Sequence, residues 1–294
     1  MKWKHFFAKD ACRVQPESWM GDKMKTSMLL LPLVIGSSVV QAESEPLDWR
    51  LSFGVHDFQV ESSDTFGAHA AISLDTVTDG GIKLHANLDT YVDRDKDKLD
   101  PDHIPIWFQS AYYARGNWLT LSEDLKLDWQ LDLRGKRNTV SSVEKQIKFY
   151  PSLLLDYARP AYGATATLGM GYYFLEIDDD VPKERGYVRG EFGNDATAWM
   201  GDLGGYIMLA PGWRLSGGVE YWADGSETLE TNYRAALEVN TPGLYKDSVL
   251  TFSMEQSHYN LDHYDKWPKD YEDYLPILPW DTDTLYRLYL TVPW

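Results

Sequence analysis

The sequence predicts an all-β protein: a transmembrane, antiparallel, up-and-down β-barrel of about twelve strands. Three observations carry this. Apolar and polar residues alternate with period two along most of the chain after residue 47. The segments between those runs are alternately short and long. The chain also ends on YRLYLTVPW (286–294), a strand with one wholly apolar face.

The alternation is clearest in LKLDWQLDLRG (125–135). Leu125, Leu127, Trp129, Leu131 and Leu133 share one parity, and Lys126, Asp128, Gln130, Asp132 and Arg134 share the other. WRLSFGV (49–55) and IKLHANLDTYV (82–92) repeat the pattern. On a helix these apolar residues would scatter around the cylinder, whereas a strand gathers them on one face. Expected strands are 48–60, 66–77, 81–93, 105–121, 124–135, 147–159, 163–177, 187–209 (interrupted at 193–197), 212–223, 230–241, 247–259 and 284–294. Ten or fourteen strands follow if 187–209 or its neighbours divide differently.

The short connections carry tight-turn residues: Thr78-Asp79-Gly80-Gly81, Ser122-Glu123-Asp124, 160–163, Pro211-Gly212 and Pro242-Gly243. The long ones are polar and charged: 93–103, 135–146, 178–186 and 261–283. Short turns on one rim and long loops on the other describe barrels of the bacterial outer membrane. An even strand number then places both termini on the periplasmic side. A periplasmic β-sandwich would account for the alternation alone, not for the loop asymmetry or the last strand.

That last strand resembles the C-terminal signature of outer-membrane β-barrel proteins. Tyr286, Leu288, Leu290, Val292 and Trp294 form its apolar face. The resemblance is to a class, and it implies recognition by the barrel assembly machinery and contact with outer-membrane lipid and lipopolysaccharide. Pro293 departs from the usual pattern, and at a strand end it need not break a ladder bond. The abundance of Tyr (19) and Trp (12) suits interfacial girdles.

The N-terminal region divides in three. Residues 24–42 read as a signal peptide: Met24-Lys25, an apolar core from Met28 to Gly36, then Val40-Gln41-Ala42 before cleavage. The core is shorter than the roughly 20 residues that span a bilayer. Residues 1–23 belong to no signal and read as a mis-called extension, which removes the single cysteine, Cys12, from the mature chain 43–294. A cysteine-free barrel suits an oxidising compartment. The formal net charge of −17 argues against nucleic acid as a partner.

If the apolar faces meet lipid, the opposite faces line the lumen. Candidates are Lys83, Asp89, Lys126, Asp128, Asp132, Arg134, Arg214, Glu220, Arg234, Glu238, Glu255 and Arg287, with Lys148 and Asp156 beside them. Glu220 is expected opposite Arg234, and Glu255 opposite Arg234 or Arg287, each cross-strand pair contributing about 0.2–1 kcal/mol. Such an interior is either zipped shut by ion pairs or a narrow pore with a charge ladder.

Catalytic constellations are poor. No histidine is followed by Ser two residues on, as outer-membrane phospholipases require. Asp93-Arg94-Asp95 matches half of the pattern of outer-membrane aspartyl-type proteases, but Asp102-His103, Asp262-His263 and Ser257-His258 are adjacent and so point to opposite faces. Asp93, Asp95 and Asp97 lack the glycine of a calcium loop, so no metal or cofactor is expected. The last loop, with Tyr264, Trp267, Tyr271, Tyr274 and Trp280, reads as a lid over the mouth or an aromatic platform. The leading functional expectation is a narrow channel for small polar or charged solutes. The alternatives are a closed structural or interaction barrel, resembling a solitary autotransporter-type barrel with an unknown surface partner, and a surface hydrolase.

Overall fold

A computed structural model describes residues 47–60, 63–94, 106–138, 141–178, 180–225, 227–267, 276–278 and 280–294. The signal segment, the 1–23 extension, Asp95, Asp97, Asp102-His103, Tyr271 and Tyr274 lie outside these residues.

Twelve strands form one closed antiparallel barrel in chain order. They are β1 (Asp48–Val60), β2 (Ser63–Val77), β3 (Lys83–Asp93), β4 (Ile106–Thr120), β5 (Leu125–Arg137), β6 (Val143–Ala158), β7 (Tyr162–Ile177), β8 (Gly193–Ala210), β9 (Trp213–Asp224), β10 (Glu227–Asn240), β11 (Val249–Tyr259) and β12 (Thr282–Pro293). The ring closes where β1 pairs with β12, from Arg50 opposite Pro293 to Val60 opposite Asp283. The Trp294 amide continues that ladder by donating to the Trp49 carbonyl at 2.9 Å, and the two indoles meet edge to face. Pro293 costs nothing at this position, because the ladder bond that follows it is made by Trp294.

Every strand has 11 residues or more, and β8 reaches 18. Roughly 9–11 tilted residues cross the hydrocarbon of a bilayer, so the longer strands rise past it. Two boundaries depart from the sequence reading. β8 starts at Gly193 and runs through the expected break at 193–197, while residues 187–192, expected to begin the strand, lie outside it and include the 3-10 turn Arg189–Glu191. The supposed loop 135–146 shrinks to 138–142, because Lys136 pairs with Gln146 and Arg137 with Lys145. Its polar residues continue the strands above the lipid, where polarity no longer signals a loop.

Five connections, including the two-residue Pro211-Gly212 turn, sit on the rim that carries the start of β1 and the end of β12. Gly212 has φ 79°, a conformation that favours glycine. On the opposite rim the long connections follow β3, β7 and β11, while β1–β2 and β9–β10 join through two residues each. The asymmetry between rims is therefore carried by three loops.

The barrel is turned inside out relative to a soluble protein. Its outward side chains are Phe53, Leu88, Leu131, Leu153, Leu168, Leu203, Leu215, Phe252 and Leu288, with Leu168 and Leu203 more than 60% exposed. Its inward side chains include Asp89, Asp128, Asp132, Lys148, Glu220 and Ser253, all under 10% exposed. A continuous apolar exterior on a closed sheet is stable only against lipid, where closure leaves no backbone group unpaired. The alternation thus makes this a membrane-spanning β-barrel. Leu131 sits midway along β5, so Leu131→Arg should lower stability in lipid vesicles by about 2–4 kcal/mol, read from urea unfolding; Lys126→Arg at the turn rim should leave the midpoint unmoved.

Candidate functional site: the charged lumen

Near the turn rim, Arg115 on β4 sends Nε to Asp128 at 2.6 Å and Nη2 to Asp156 at 2.5 Å, so one guanidinium ties three strands. Asn117 also donates to Asp128. Lys83 and Lys126 are exposed near this rim. Arg214 lies 3.3 Å from Glu238, with its guanidinium over the Tyr206 ring. Arg234 reaches sideways to Asp202 on β8 at 2.6 Å. It lies flat on the wall because β9 has Gly218 there, and a Cβ at that position would come within 2.9 Å of the Arg234 Nη2. Arg214, Arg234, Ser216 and Tyr289 help enclose a cavity of about 320 Å³.

Above it stands Arg287 on β12. Its Nε donates to Ser253 Oγ and its Nη1 to Tyr91 OH, both at 3.0 Å. Asp89 and Glu255 lie at 3.9 and 3.7 Å. A second cavity of about 410 Å³ begins here, lined by Asp89, Asp132, Arg134, Lys148, Glu220 and Glu230 among others. Arg287 and Glu255 line both cavities, so they stand at the boundary between them.

The upper cavity is bridged by ion pairs between distant strands. Arg134 on β5 meets Glu220 on β9 at 2.5 Å, and Lys148 on β6 meets Glu220 and Glu230 on β10 at 3.0 Å each. Trp222 Nε1 donates to Glu220, while Gln146 and Tyr173 donate to Glu230. Both carboxylates are therefore buried and saturated with donors, the condition under which a buried ion pair is tolerated.

At the loop rim two apolar clusters fill the interior. One joins Tyr173, Leu175, Ile177, Trp222 and Tyr259 to Leu261, Tyr264, Ile277 and Leu278 of the last connection. The other is Phe58, Tyr91, Trp107 and Leu285. Between them lies Lys136, its ammonium within 6 Å of the Phe58 and Tyr259 ring centres. It donates to Tyr259 OH at 3.0 Å and to Asp283 at 2.9 Å. Asp283 sits on β12, five strands away round one side of the ring and seven round the other, so this pair crosses the mouth. Ser141 Oγ donates to the same carboxylate. Tyr264 OH donates to the Leu175 carbonyl at 2.6 Å, and Ser142 Oγ to the Trp280 carbonyl at 2.5 Å. Of the lid and platform alternatives for this loop, the described residues form a lid, although Trp267 remains exposed.

The expected Glu220–Arg234 pair does not form. The ladder sets Glu220 opposite Asn232 and Arg234 opposite Gly218, and register cannot be read from one sequence. Arg234 does stand opposite Glu255, yet its guanidinium turns to Asp202. Sequence reading also passed over Lys136, Glu230 and Asp283, the first and last of which it had placed in loops. All three continue the inward parity of Arg134, Asn232 and Arg287, which was the available signal.

Asp93 accepts a hydrogen bond from Trp107 Nε1 and lies 2.5 Å from His56 Nε2, while His69 Nε2 lies 2.8 Å from Asp89. Among the described residues, the second ring nitrogen of each histidine is buried without a hydrogen-bond partner.

No family model matches the chain, and no curated protein matches it in sequence. Among solved structures it is similar to a KdgM porin in complex with disordered oligogalacturonate (7% identity, TM-score 0.43, 83% of this chain and 99% of that one). It is also similar to a NanC porin (9%, 0.44, 83% and 98%) and to an anion-selective porin from Comamonas acidovorans (8%, 0.38, 86% and 100%). At TM-scores this low, these likenesses add nothing to what the chain's own ladders show.

Lys148→Met leaves Glu220 and Glu230 short of a buried counter-charge, and should cost about 3–5 kcal/mol of unfolding free energy in lipid. The exposed pair Arg159–Asp124 at the turn rim supplies the control: Arg159→Met should leave the unfolding midpoint essentially in place.

Proposed function

We propose that this chain is a narrow channel of the bacterial outer membrane for small polar or charged solutes. The observation that carries the proposal is the pair of cavities inside the barrel, each lined in part by charged side chains and both bordered by Glu255 and Arg287. Charged lining residues thus run from Arg214 near the turn rim to Lys136. A lumen needed only for stability would gain more from apolar packing, since replacing buried ion pairs by fitted hydrophobic residues is commonly neutral or stabilising. The upper cavity is lined by the five carboxylates Asp89, Asp132, Glu220, Glu230 and Glu255 against the four cations Arg134, Lys136, Lys148 and Arg287.

In this reading residues 24–42 direct export and are removed, both termini face the periplasm, and the long loops face outward beside lipopolysaccharide. The barrel assembly machinery engages Tyr286, Leu288, Leu290, Val292 and Trp294. The mouth at Lys136 is a gate, shut in this conformation.

The plug itself favours a second reading, a permanently closed structural barrel. Planar-bilayer recording of residues 43–294 separates the two. The channel reading expects discrete conductance steps, with a higher open fraction in Lys136→Gln and Asp283→Asn, and higher again when Ile277→Ser and Leu278→Ser loosen the lid. Silence in the wild type and in all of these variants, with the barrel folded, would establish the closed reading.

A further inference from the structure

The solute class is written in how the lumen charges are paired. Each charged side chain lining the upper cavity already has an opposite charge within 4 Å. Arg134, Lys136 and Lys148 project from β5 and β6, while their partners Glu220, Glu230 and Asp283 stand on β9, β10 and β12. Arg287 holds Asp89 and Glu255 in the same way at the boundary between the two cavities. Six of the nine charged groups that line the cavity thus fall into a cationic wall on β5 and β6 facing an anionic one on β9 to β11, with Asp89, Asp132 and Arg287 as the exceptions. Toward the turn rim, Arg234–Asp202 and Arg214–Glu238 join neighbouring strands β8 to β10 within one wall, so the division into two walls belongs to the upper cavity.

A solute with a single charge is ill suited to this lumen. A cation approaching Glu220 or Glu230 draws the carboxylate from Lys148 and leaves an ammonium uncompensated in a buried site; an anion does the converse. An uncharged polyol leaves the pairs intact and gains only hydrogen bonds that water already makes. A solute carrying both an ammonium and a carboxylate inserts between the walls and satisfies each partner it separates. Its own charges are matched across the lumen throughout passage, and electrostatic complementarity of this kind sets selectivity more than raw affinity. The 410 Å³ cavity lies within the range that holds a small solute.

From this arrangement we infer that the preferred solutes are small zwitterions of about amino-acid size, with Arg134, Lys148 and Arg287 reading the carboxylate and Glu220, Glu230 and Glu255 reading the ammonium. The inference rests on the channel reading and deepens it.

The test uses proteoliposomes of residues 43–294 and four solutes of similar length: γ-aminobutyrate, γ-hydroxybutyrate, choline and erythritol. Labelled uptake is corrected for empty vesicles, and potassium chloride conductance is recorded from the same preparation. γ-Aminobutyrate should enter several-fold faster than each of the others. Glu255→Gln should shift the preference toward γ-hydroxybutyrate and Arg287→Gln toward choline; because the two act in opposite directions, either folded variant alone decides the point. Clear conductance with equal uptake of all four solutes, or with faster uptake of a singly charged one, would overturn the zwitterion inference and leave the channel reading standing. Absence of both conductance and uptake would overturn both.

Discussion

Ring closure between β1 and β12 is the constraint on which the remaining structure depends. In lipid an unpaired strand edge exposes amides and carbonyls that no water can satisfy. The β1–β12 ladder removes the last such edge. Only after closure does the period-two pattern have two distinct solvents, hydrocarbon outside and an enclosed polar space inside. Small features of the seam serve this. Gly54 faces inward beside Tyr289, where any Cβ would collide with the Leu288 carbonyl oxygen and the Tyr289 side chain.

A closed ring of twelve strands leaves an interior too wide for one layer of ordinary side chains and narrow enough for long ones to meet across it. The chain fills that space with Arg and Lys reaching carboxylates three to five strands away. These contacts brace the ring like spokes, and they also leave polar volume between them. The residues that brace the ring are therefore the residues that line its cavities. At the loop rim the design changes: aromatic and aliphatic clusters from both sides of the ring converge on Lys136.

The strand plan was legible because alternation against lipid is a strong local signal. β1 was read with its observed bounds, and most other boundaries shifted by only a few residues. The largest strand extension missed has a physical cause. Lys136, Arg137 and Lys145 look like loop residues, yet they are paired strand residues, Lys136 facing the interior and Arg137 a part of the outer face that is not apolar. Site legibility stopped at parity. The inward placement of Asp132, Arg134, Glu220 and Arg287 could be inferred, but not which met which, since Arg134–Glu220 and Lys136–Asp283 depend on ring closure and register. His56 and His69 were silent because a single inward histidine carries no pattern.

The central claim is that the lumen is a solute path and not a sealed core. The cavity-lining residue Ser216 offers the most direct test, because residues 43–294 contain no cysteine. Single-channel current through Ser216→Cys would be recorded before and after a charged, membrane-impermeant thiol reagent is added on the turn-rim side. The account predicts an irreversible stepwise fall in current as the reagent's charge is fixed in the lumen. A thiol that reacts only after the barrel is unfolded, with the recorded current unchanged by the reagent, would contradict it.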